Sequence, residues 1–384
     1  MDIEEQHEGF DGKLWQVHKF GGTSVADAAC FLKVATIIEE QIGIVHDPSG
    51  FNNKNEIPSS SSPSPFWNLA IVVSAMGGKP KTTDLLLDSV TAAASRDDEK
   101  VESCLKFIQD KHYKCLDTLF FNVVHANVTT SSAETMEMVQ SLKDIIAKDL
   151  NDIRDILKTV ALMKWQAKRI SELVSGYGET WSSQILCTLL SKREEARRAE
   201  HGKTGGDNFD YQGDNDSDYG AIYNEGNEGQ GNHYFRYIDA RRIITIDEDA
   251  IKDGAVCWEL SMDKLKNVYQ EESIATFGLG QQNGTMHFVI TGYIASNTHA
   301  VATTLQRDGS DYSAAIMGRL LESTQIAIWT DVDGVLSADP RRVPHSYVLP
   351  EVSFNEAMEL AYFGAKVIHP KVFPFLFPFS GFEF

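Results

Sequence analysis

Two short apolar segments of the sequence each end at a pair of glycines. Residues 14–20 (LWQVHKF) lead into Gly21-Gly22, and residues 69–75 (LAIVVSA) lead into Gly77-Gly78. A short apolar run that ends in a glycine turn is typical of a buried strand in a parallel sheet. The pattern therefore predicts strand–loop–helix units, the first of which continues into a helix over about residues 26–41.

Short strands and helices alternate again in the last third of the chain. The predicted strands are 240–245, 286–295 and 325–331, and the predicted helices cover about 312–321 and 354–364. Between the two halves, the sequence predicts a largely helical stretch from about 83 to 190, with breaks near 123–132 and at 175–178. Alternation of this kind predicts the α/β class with a mainly parallel sheet.

Two segments have the composition of insertions. Residues 44–66 are rich in Ser, Pro and Asn, which predicts a loop. Residues 202–233 hold seven acidic residues, eight glycines and one lysine, so they have too little apolar surface to offset the entropy of ordering them. We interpret that segment as a disordered acidic insertion, and its resemblance to a calcium-binding loop is poor because the glycine falls one position late.

The charge of the chain restricts its partners. With 35 basic and 55 acidic residues the formal net charge is −20, which disfavours binding to nucleic acid or to an anionic membrane. The five cysteines show no CxxC spacing and no metal-binding cluster, so we expect reduced thiols and no metal site formed by the chain. No signal peptide or transit peptide is visible, and we expect the cytoplasm or the plastid stroma as the compartment.

Polar clusters follow the predicted strands, at the edge of the sheet where ligands of α/β proteins bind. Residues 19–24 (KFGGTS) combine glycines with a lysine and fit either a phosphate site or an ordinary strand–helix turn. Residues 74–79 (SAMGGK) share this composition, but taken alone they fit a flexible loop better than an anion site. Residues 303–313 (TTLQRDGSDYS) are too polar to be explained by packing alone, and Arg307 offers a planar fork for a carboxylate or phosphate. Glu179 lies at a predicted helix start, where it serves either as a cap or as a partner for a substrate ammonium group.

Six motifs occur in order along the chain: KFGGTSV, VVSAMGG, GETWSSQ, TTLQRDGSDYSAAIMG, IWTDVDGVLSADPR and FGAKVIHP. Together they resemble the aspartate kinases of the amino acid kinase family, and most closely the kinase part of the bifunctional aspartokinase–homoserine dehydrogenases. The resemblance implies a catalytic domain over residues 14–370. It also implies a three-layer α/β/α sandwich with a mainly parallel eight-stranded sheet.

The implied reaction transfers the γ-phosphoryl group of Mg-ATP to the β-carboxylate of L-aspartate, in the first step of lysine, threonine and methionine biosynthesis. By resemblance, Lys19 stabilises the transferring phosphoryl group and Asp311 orients the active-site lysines. The implied substrate-binding residues are Thr23, Ser74, Glu179 and Arg307. The implied ATP-binding residues are Lys19, Gly21, Gly22, Thr330, Asp331, Arg341 and Lys366. Mg²⁺ enters with ATP.

The chain departs from this family at two places. Position 336 is Leu where the family usually has Tyr near the nucleotide. After Pro370 the sequence becomes an atypical tail over 371–384, and we expect no ACT regulatory domain and no dehydrogenase domain. Two alternatives stay open, a glutamate-type kinase of the same family and a non-catalytic subunit that regulates a longer partner. A homo-oligomer also stays open.

Overall fold

The structure is a computed structural model that describes most of the chain. It covers residues 10–44, 67–125, 132–164, 168–204, 232–247, 255–278, 284–306, 309–339, 342–362 and 382–383. Nearly all of the two predicted insertions and most of the tail lie outside these ranges. Three of the predicted site residues also lie outside them, namely Arg307, Arg341 and Lys366.

The described strands form two sheets. In chain order the strands are β1 (Trp15–Phe20), β2 (Asn68–Val73), β3 (His233–Ile238), β4 (Thr245–Asp247), β5 (Ala255–Val256), β6 (Thr285–Thr291), β7 (Ile294–Asn297), β8 (Ala302–Thr304), β9 (Gln325–Trp329) and β10 (Phe382–Glu383). The larger sheet has the order β10-β9-β1-β2-β6-β3, and every neighbouring pair is parallel. The smaller sheet has the order β5-β4-β7-β8 and is mixed.

Nine helices accompany these strands in the described residues. They are α1 (Ala28–Gln41), α2 (Thr82–Ala94), α3 (Asp98–His125), α4 (Ser132–Met163), α5 (Lys168–Ser175), α6 (Tyr177–Thr204), α7 (Trp258–Phe277), α8 (Gly309–Leu320) and α9 (Phe354–Tyr362). The predicted α/β class with a mainly parallel sheet is confirmed. The eight strands expected in one sheet are not confirmed, because the described strands divide into sheets of six and four.

Helices cover both faces of the larger sheet. Leu69, Ile71 and Val73 of β2 pack into one apolar core with side chains of α1, α2, α3, α4 and α6. Ala70 and Val72, which alternate with them, pack into a second core with α7 and α8. Because successive side chains of a strand point to opposite faces, the two cores lie on opposite sides of the sheet. Burial on both sides explains the continuous apolar run of β2.

Several predicted elements need correction. Residues 240–245 were predicted as one strand, but Ala240–Arg242 form a 3-10 turn and only the segment from Thr245 onward is β4. Residues 286–295 were predicted as one strand, but Gly292 and Tyr293 divide them into β6 and β7. Tyr293 has a φ of 66°, so the chain changes direction there and passes from the larger sheet into β7 of the smaller sheet.

The predicted boundaries of the insertion at 202–233 include residues that belong to the neighbouring helix and strand. Helix α6 continues to Thr204, and β3 begins at His233. The strand β3 was not predicted, because His233 and Arg236 interrupt its apolar pattern and many glycines precede it. It forms the edge of the larger sheet next to β6. Its first residue is held by Glu194 of α6, whose Oε1 accepts the backbone N–H of His233 at 3.0 Å.

The five cysteines are all free thiols, as predicted. No helix in the described part of the chain is long and apolar enough to cross a membrane.

The centre of the second core depends on Phe288 of β6. Its ring packs against Trp15 of β1 at a centroid distance of 5.2 Å and against Tyr269 of α7 at 6.1 Å. We expect Phe288→Ala to lower the free energy of unfolding by about 3–5 kcal/mol, because it leaves a cavity between sheet and helix. Phe107→Ala in α3 is the control, since Phe107 is 45 % exposed. Equal urea midpoints for the two variants would contradict this assignment of the core.

Candidate active site

The carboxyl ends of four neighbouring parallel strands, β9, β1, β2 and β6, meet at one edge of the larger sheet. Lys19 lies near the end of β1, which is paired on both sides, and only 8 % of the residue is exposed. Its Nζ lies 2.5 Å from Oδ1 of Asp311, in the first turn of α8. A buried lysine requires a counter-charge, and this pair fixes the lysine at the edge. The structure thus brings the two predicted catalytic residues together.

The two glycine turns that follow β1 and β2 touch each other. The backbone N–H of Gly77 donates to the carbonyl oxygen of Gly22 at 2.8 Å. A Cβ on Gly77 would overlap that oxygen, and a Cβ on Gly22 would lie 3.0 Å from the carbonyl oxygen of Ala75. The glycines are therefore required by close backbone approach, as the sequence indicated for a phosphate turn.

Ser74 connects the second turn to α8. Its Oγ donates to Oγ of Ser310 at 2.8 Å, and Ser310 directly precedes Asp311. The carbonyl oxygen of Ser74 accepts the hydroxyl of Ser182 of α6 at 2.7 Å. Ser74 therefore lies at the junction of β2, α6 and α8, within the same site as Lys19 and Asp311.

Glu179 lies in the first turn of α6, as predicted, and is 4 % exposed. Its carboxylate accepts the backbone N–H groups of Ala75 and of Glu179 itself, while Oε2 has no hydrogen-bond partner in the described residues. Burial raises the pKa of Glu179 from its ordinary value of 4.5 to about 8, and the two N–H groups oppose that shift. A buried carboxylate with one free oxygen beside the loop is equipped to receive a cationic group.

The predicted nucleotide residues Thr330 and Asp331 follow β9, next to the turn that follows β1. The hydroxyl of Thr330 lies 3.2 Å from Oδ1 of Asp331. The ring of Trp329 stacks on Phe20 with centroids 5.9 Å apart and an interplanar angle of 8°, which locks the ends of β9 and β1 together. Thr23 lies in the turn after β1 with an exposed side chain.

The departure at Leu336 has a local structural role. Leu336 forms an antiparallel bridge with Val348, so the segment after β9 folds back on itself. The predicted residues Arg307, Arg341 and Lys366 lie outside the described residues, and their roles stay predictions.

Two residues of the site were missed by the sequence analysis. Nζ of Lys111, in the middle of α3, donates to the carbonyl oxygen of Met76 at 3.2 Å. The hydroxyl of Tyr293, between β6 and β7, lies 3.2 Å from Oγ of Ser175 at the end of α5. Neither has a motif around it, and Lys111 is one of several lysines on an amphipathic helix, so the sequence gives no signal for it.

The site contains carboxylates that fit a magnesium–nucleotide complex. Mg²⁺ in phosphoryl-transfer sites is held by one or two carboxylates together with substrate phosphates and water. Asp311, in the first turn of α8, and Asp331, after β9, are of the required chemistry. Among the described residues there is no group of three or more His, Cys, Asp or Glu side chains that could hold a metal by itself.

Comparison with known proteins identifies the second part of the chain. Residues 237–376 match the model of the amino acid kinase family. This matched segment contains β6–β9, α8 and the predicted residues Arg307, Asp311, Thr330, Asp331, Arg341 and Lys366.

The whole chain is similar to plant enzymes that contain such a segment. It is 28 % identical over 371 residues to the chloroplastic bifunctional aspartokinase/homoserine dehydrogenase 2 of Arabidopsis thaliana, covering 97 % of this chain and 31 % of that protein. It is also 28 % identical to the chloroplastic aspartokinase 2 of the same plant, covering 94 % of this chain and 50 % of the relative. The chain therefore spans about a third to a half of the length of these relatives.

The fold is similar to that of a solved aspartokinase. The structure of E. coli aspartokinase III in complex with aspartate and ADP matches with a TM-score of 0.59 and 22 % identity, covering 94 % of this chain and 59 % of that one. At this level of identity the match confirms the fold, and the chemistry depends on the residues described above.

The carboxyl of Glu179 makes stability depend on pH. Its pKa is about 8 in the folded chain and 4.5 ordinarily, so the folded state holds a proton that the unfolded state loses. This contribution to stability is complete below pH 4.5 and is lost as pH rises to about 8. Since each pKa unit corresponds to about 1.4 kcal/mol, the loss amounts to several kcal/mol.

We expect Glu179→Gln to be more stable than the wild type at pH 8, by urea unfolding, and the difference to shrink towards pH 5. Asp84→Asn, a change to a carboxyl in the first turn of α2, is the control. A pH-independent difference between Glu179→Gln and the wild type would contradict the raised pKa.

Proposed function

We propose that the chain is an aspartate kinase, which transfers the γ-phosphoryl group of ATP to the β-carboxylate of L-aspartate to form 4-phospho-L-aspartate. The observation that carries the proposal is a continuous set of contacts. Lys19 pairs with Asp311, and the neighbouring Ser310 is hydrogen-bonded to Ser74. The residue after Ser74, Ala75, donates its backbone N–H to the carboxylate of Glu179. This set joins a cation suited to a phosphoryl group with a carboxylate suited to an amino acid. The similarity to plant aspartokinases supports the choice of substrate.

Charge and position explain how this site performs the reaction. Phosphoryl transfer requires little covalent work from the protein, so alignment of the reactants and neutralisation of charge dominate. Lys19 stabilises negative charge on the transferring phosphoryl oxygens, and Asp311 holds its ammonium in place. The turns at Gly21-Gly22 and Gly77 give the phosphates close access to the backbone. Mg²⁺ bound to ATP supplies further positive charge.

The amino acid is held by its α-groups in this proposal. Glu179 pairs with the ammonium group through its free Oε2, and Arg307 binds the α-carboxylate. Thr23 and Ser74 complete the substrate pocket. The β-carboxylate is then free to attack the γ-phosphorus.

The nucleotide is bound at the neighbouring strand end in this proposal. The residues assigned to it are Gly21, Gly22, Thr330, Asp331, Arg341 and Lys366. We further propose the three-layer sandwich of the amino acid kinases as the fold, and the plastid stroma or the cytoplasm as the compartment. The chloroplastic relatives favour the plastid.

The direct test is formation of aspartyl hydroxamate by the purified chain with Mg-ATP, aspartate and hydroxylamine. We expect turnover with aspartate and little with glutamate. Faster turnover with glutamate would favour the glutamate-type alternative. No turnover with either, combined with stimulation of a longer aspartokinase, would favour the non-catalytic subunit.

Removal of the active-site cation should separate catalysis from binding. We expect Lys19→Ala to lower kcat by about 10²–10³, because it removes a preorganised charge from the transferring group. Lys158→Ala is the control, since Lys158 is 73 % exposed on α4. ADP affinity, measured by calorimetry, checks that the variant site still forms. A kcat within twofold of the wild type would refute the role of Lys19.

Binding of aspartate should release a proton. At pH 7 the carboxyl of Glu179 is mostly protonated in the free chain, because its pKa is about 8. A substrate ammonium group beside Oε2 favours the ionised form and expels that proton. The observed binding enthalpy should therefore differ between phosphate and Tris buffers by the difference in their ionisation enthalpies. Glu179→Gln should remove the buffer dependence; a dependence that survives in this variant would contradict the assignment.

A further inference from the structure

Lys111 projects from α3 into the turn that follows β2. Its Nζ donates to the carbonyl oxygens of Met76, at 3.2 Å, and Pro80, at 3.3 Å. It also donates to the carbonyl oxygen of Gly77. Oγ1 of Thr82, at the start of α2, lies 3.5 Å from the same nitrogen. Four oxygens of one short segment thus surround one ammonium group.

This arrangement has the chemistry of a site for a small dehydrated cation. Carbonyl and hydroxyl oxygens are the groups that replace the water of a monovalent cation inside proteins. An ammonium group has three donors, so these four acceptors are enough to occupy all of its N–H groups. Burial also lowers the pKa of Lys111 from its ordinary value. No carboxylate is among the four oxygens.

The direction of the carbonyl groups determines where the N–H groups of the loop point. In a trans peptide the C=O and the N–H point in opposite directions. The carbonyl of Met76 faces Lys111, and the N–H of the same peptide, on Gly77, donates to the carbonyl oxygen of Gly22 at 2.8 Å. The carbonyl of Gly77 also faces Lys111, so the N–H of Gly78 points away from α3. The turn at Gly21-Gly22, to which the proposed function assigns the ATP phosphates and which is called the phosphate turn below, lies on that side of the loop.

The same loop also sets the position of the Glu179 carboxylate. Ala75, next to Met76, donates its backbone N–H to Glu179. Gly77 contacts the first turn directly, because its backbone N–H donates to the carbonyl oxygen of Gly22 at 2.8 Å. Movement of this loop would therefore displace the partner of Glu179 and the contact with Gly22 together.

We propose that Lys111 is a positioning residue that acts as a tethered monovalent cation, holding the carbonyls of Met76, Gly77 and Pro80 inward and the N–H groups of Gly77 and Gly78 towards the phosphate turn. The expected effect on catalysis rests on the proposed function. The cation site itself does not depend on that function. Without the ammonium group, three converging carbonyl dipoles repel one another and the loop turns them to water.

The test is chemical rescue of Lys111→Ala, which leaves the oxygens in place and empties the space of the ammonium. We expect kcat to fall by about 10- to 100-fold and KM for ATP to rise, since small misplacement of reactants has effects of this size. Ammonium or methylammonium chloride should restore at least a tenth of the lost activity. Tetramethylammonium chloride at the same ionic strength should restore none, because it is too large and has no N–H donor.

Two further variants separate this role from general stability. Lys111→Met fills the space without charge, so it should lose activity and resist rescue. Lys106→Ala is the control on the same helix, since Lys106 is 66 % exposed and pairs with Asp110. Wild-type kcat and KM in Lys111→Met would overturn the proposal, as would a folded Lys111→Ala that ammonium does not rescue.

A readout without catalysis keeps this inference distinct from the proposed function. The melting temperature of Lys111→Ala should rise by about 2 °C or more with ammonium but not with tetramethylammonium, and that of the wild type should respond equally to both. If the wild type proves inactive on aspartate, this measurement still decides the cation site. Equal responses of Lys111→Ala to the two salts would refute it.

Discussion

The parallel pairing of β1 with β2 on one side and β9 on the other is the constraint on which the rest of the site depends. The register aligns Phe20 with both Val73 and Trp329, so the three strands end at the same level. Every segment that leaves those ends then begins at one edge, which brings Gly22 to Gly77. Asp311 reaches Lys19 at the same edge from the first turn of α8. Because strands of a parallel sheet are buried on both faces, only their ends are free to hold polar chemistry.

Two buried ionisable groups and one half-buried lysine at this edge are stabilised in three different ways. Lys19 has a counter-charge, Asp311, at 2.5 Å. Lys111 has uncharged oxygens, whose dipoles offset part of its desolvation. Glu179 has two backbone N–H groups and one free oxygen, and its pKa rises to about 8. Glu179 has the least compensation, so under the proposed function we expect the substrate ammonium to gain most of its binding energy there.

Sequence reasoning succeeded where a residue's role is local to a strand end. The strands β1 and β2, the helix break at 175–178 and the position of Glu179 in the first turn of α6 all follow from short patterns. It failed where a tertiary contact determines the structure or the role of a residue. Residues 233–238 form β3 because they pair with β6. Lys111 has its proposed role because α3 passes close to the turn after β2. The division of residues 286–295 into two strands depends on the positive φ of Tyr293. A tyrosine rarely adopts a positive φ, so the sequence gives no signal for it.

The acidity of the chain bears on how such a site handles phosphate. With a net charge of −20 the protein as a whole repels ATP, and Mg²⁺ reduces that repulsion by lowering the charge of the nucleotide. Within the site, Lys19 is already neutralised by Asp311, so a phosphoryl group must share the lysine with that carboxylate. Asp311 thereby weakens the attraction of Lys19 for the phosphoryl group more in the ground state than in the transition state, in which that group lies between the attacking and leaving oxygens. The reason is that a preorganised lysine needs no reorientation as the charge shifts. Under the proposed function, Asp311 would therefore serve catalysis by limiting how tightly the substrate is held before the reaction.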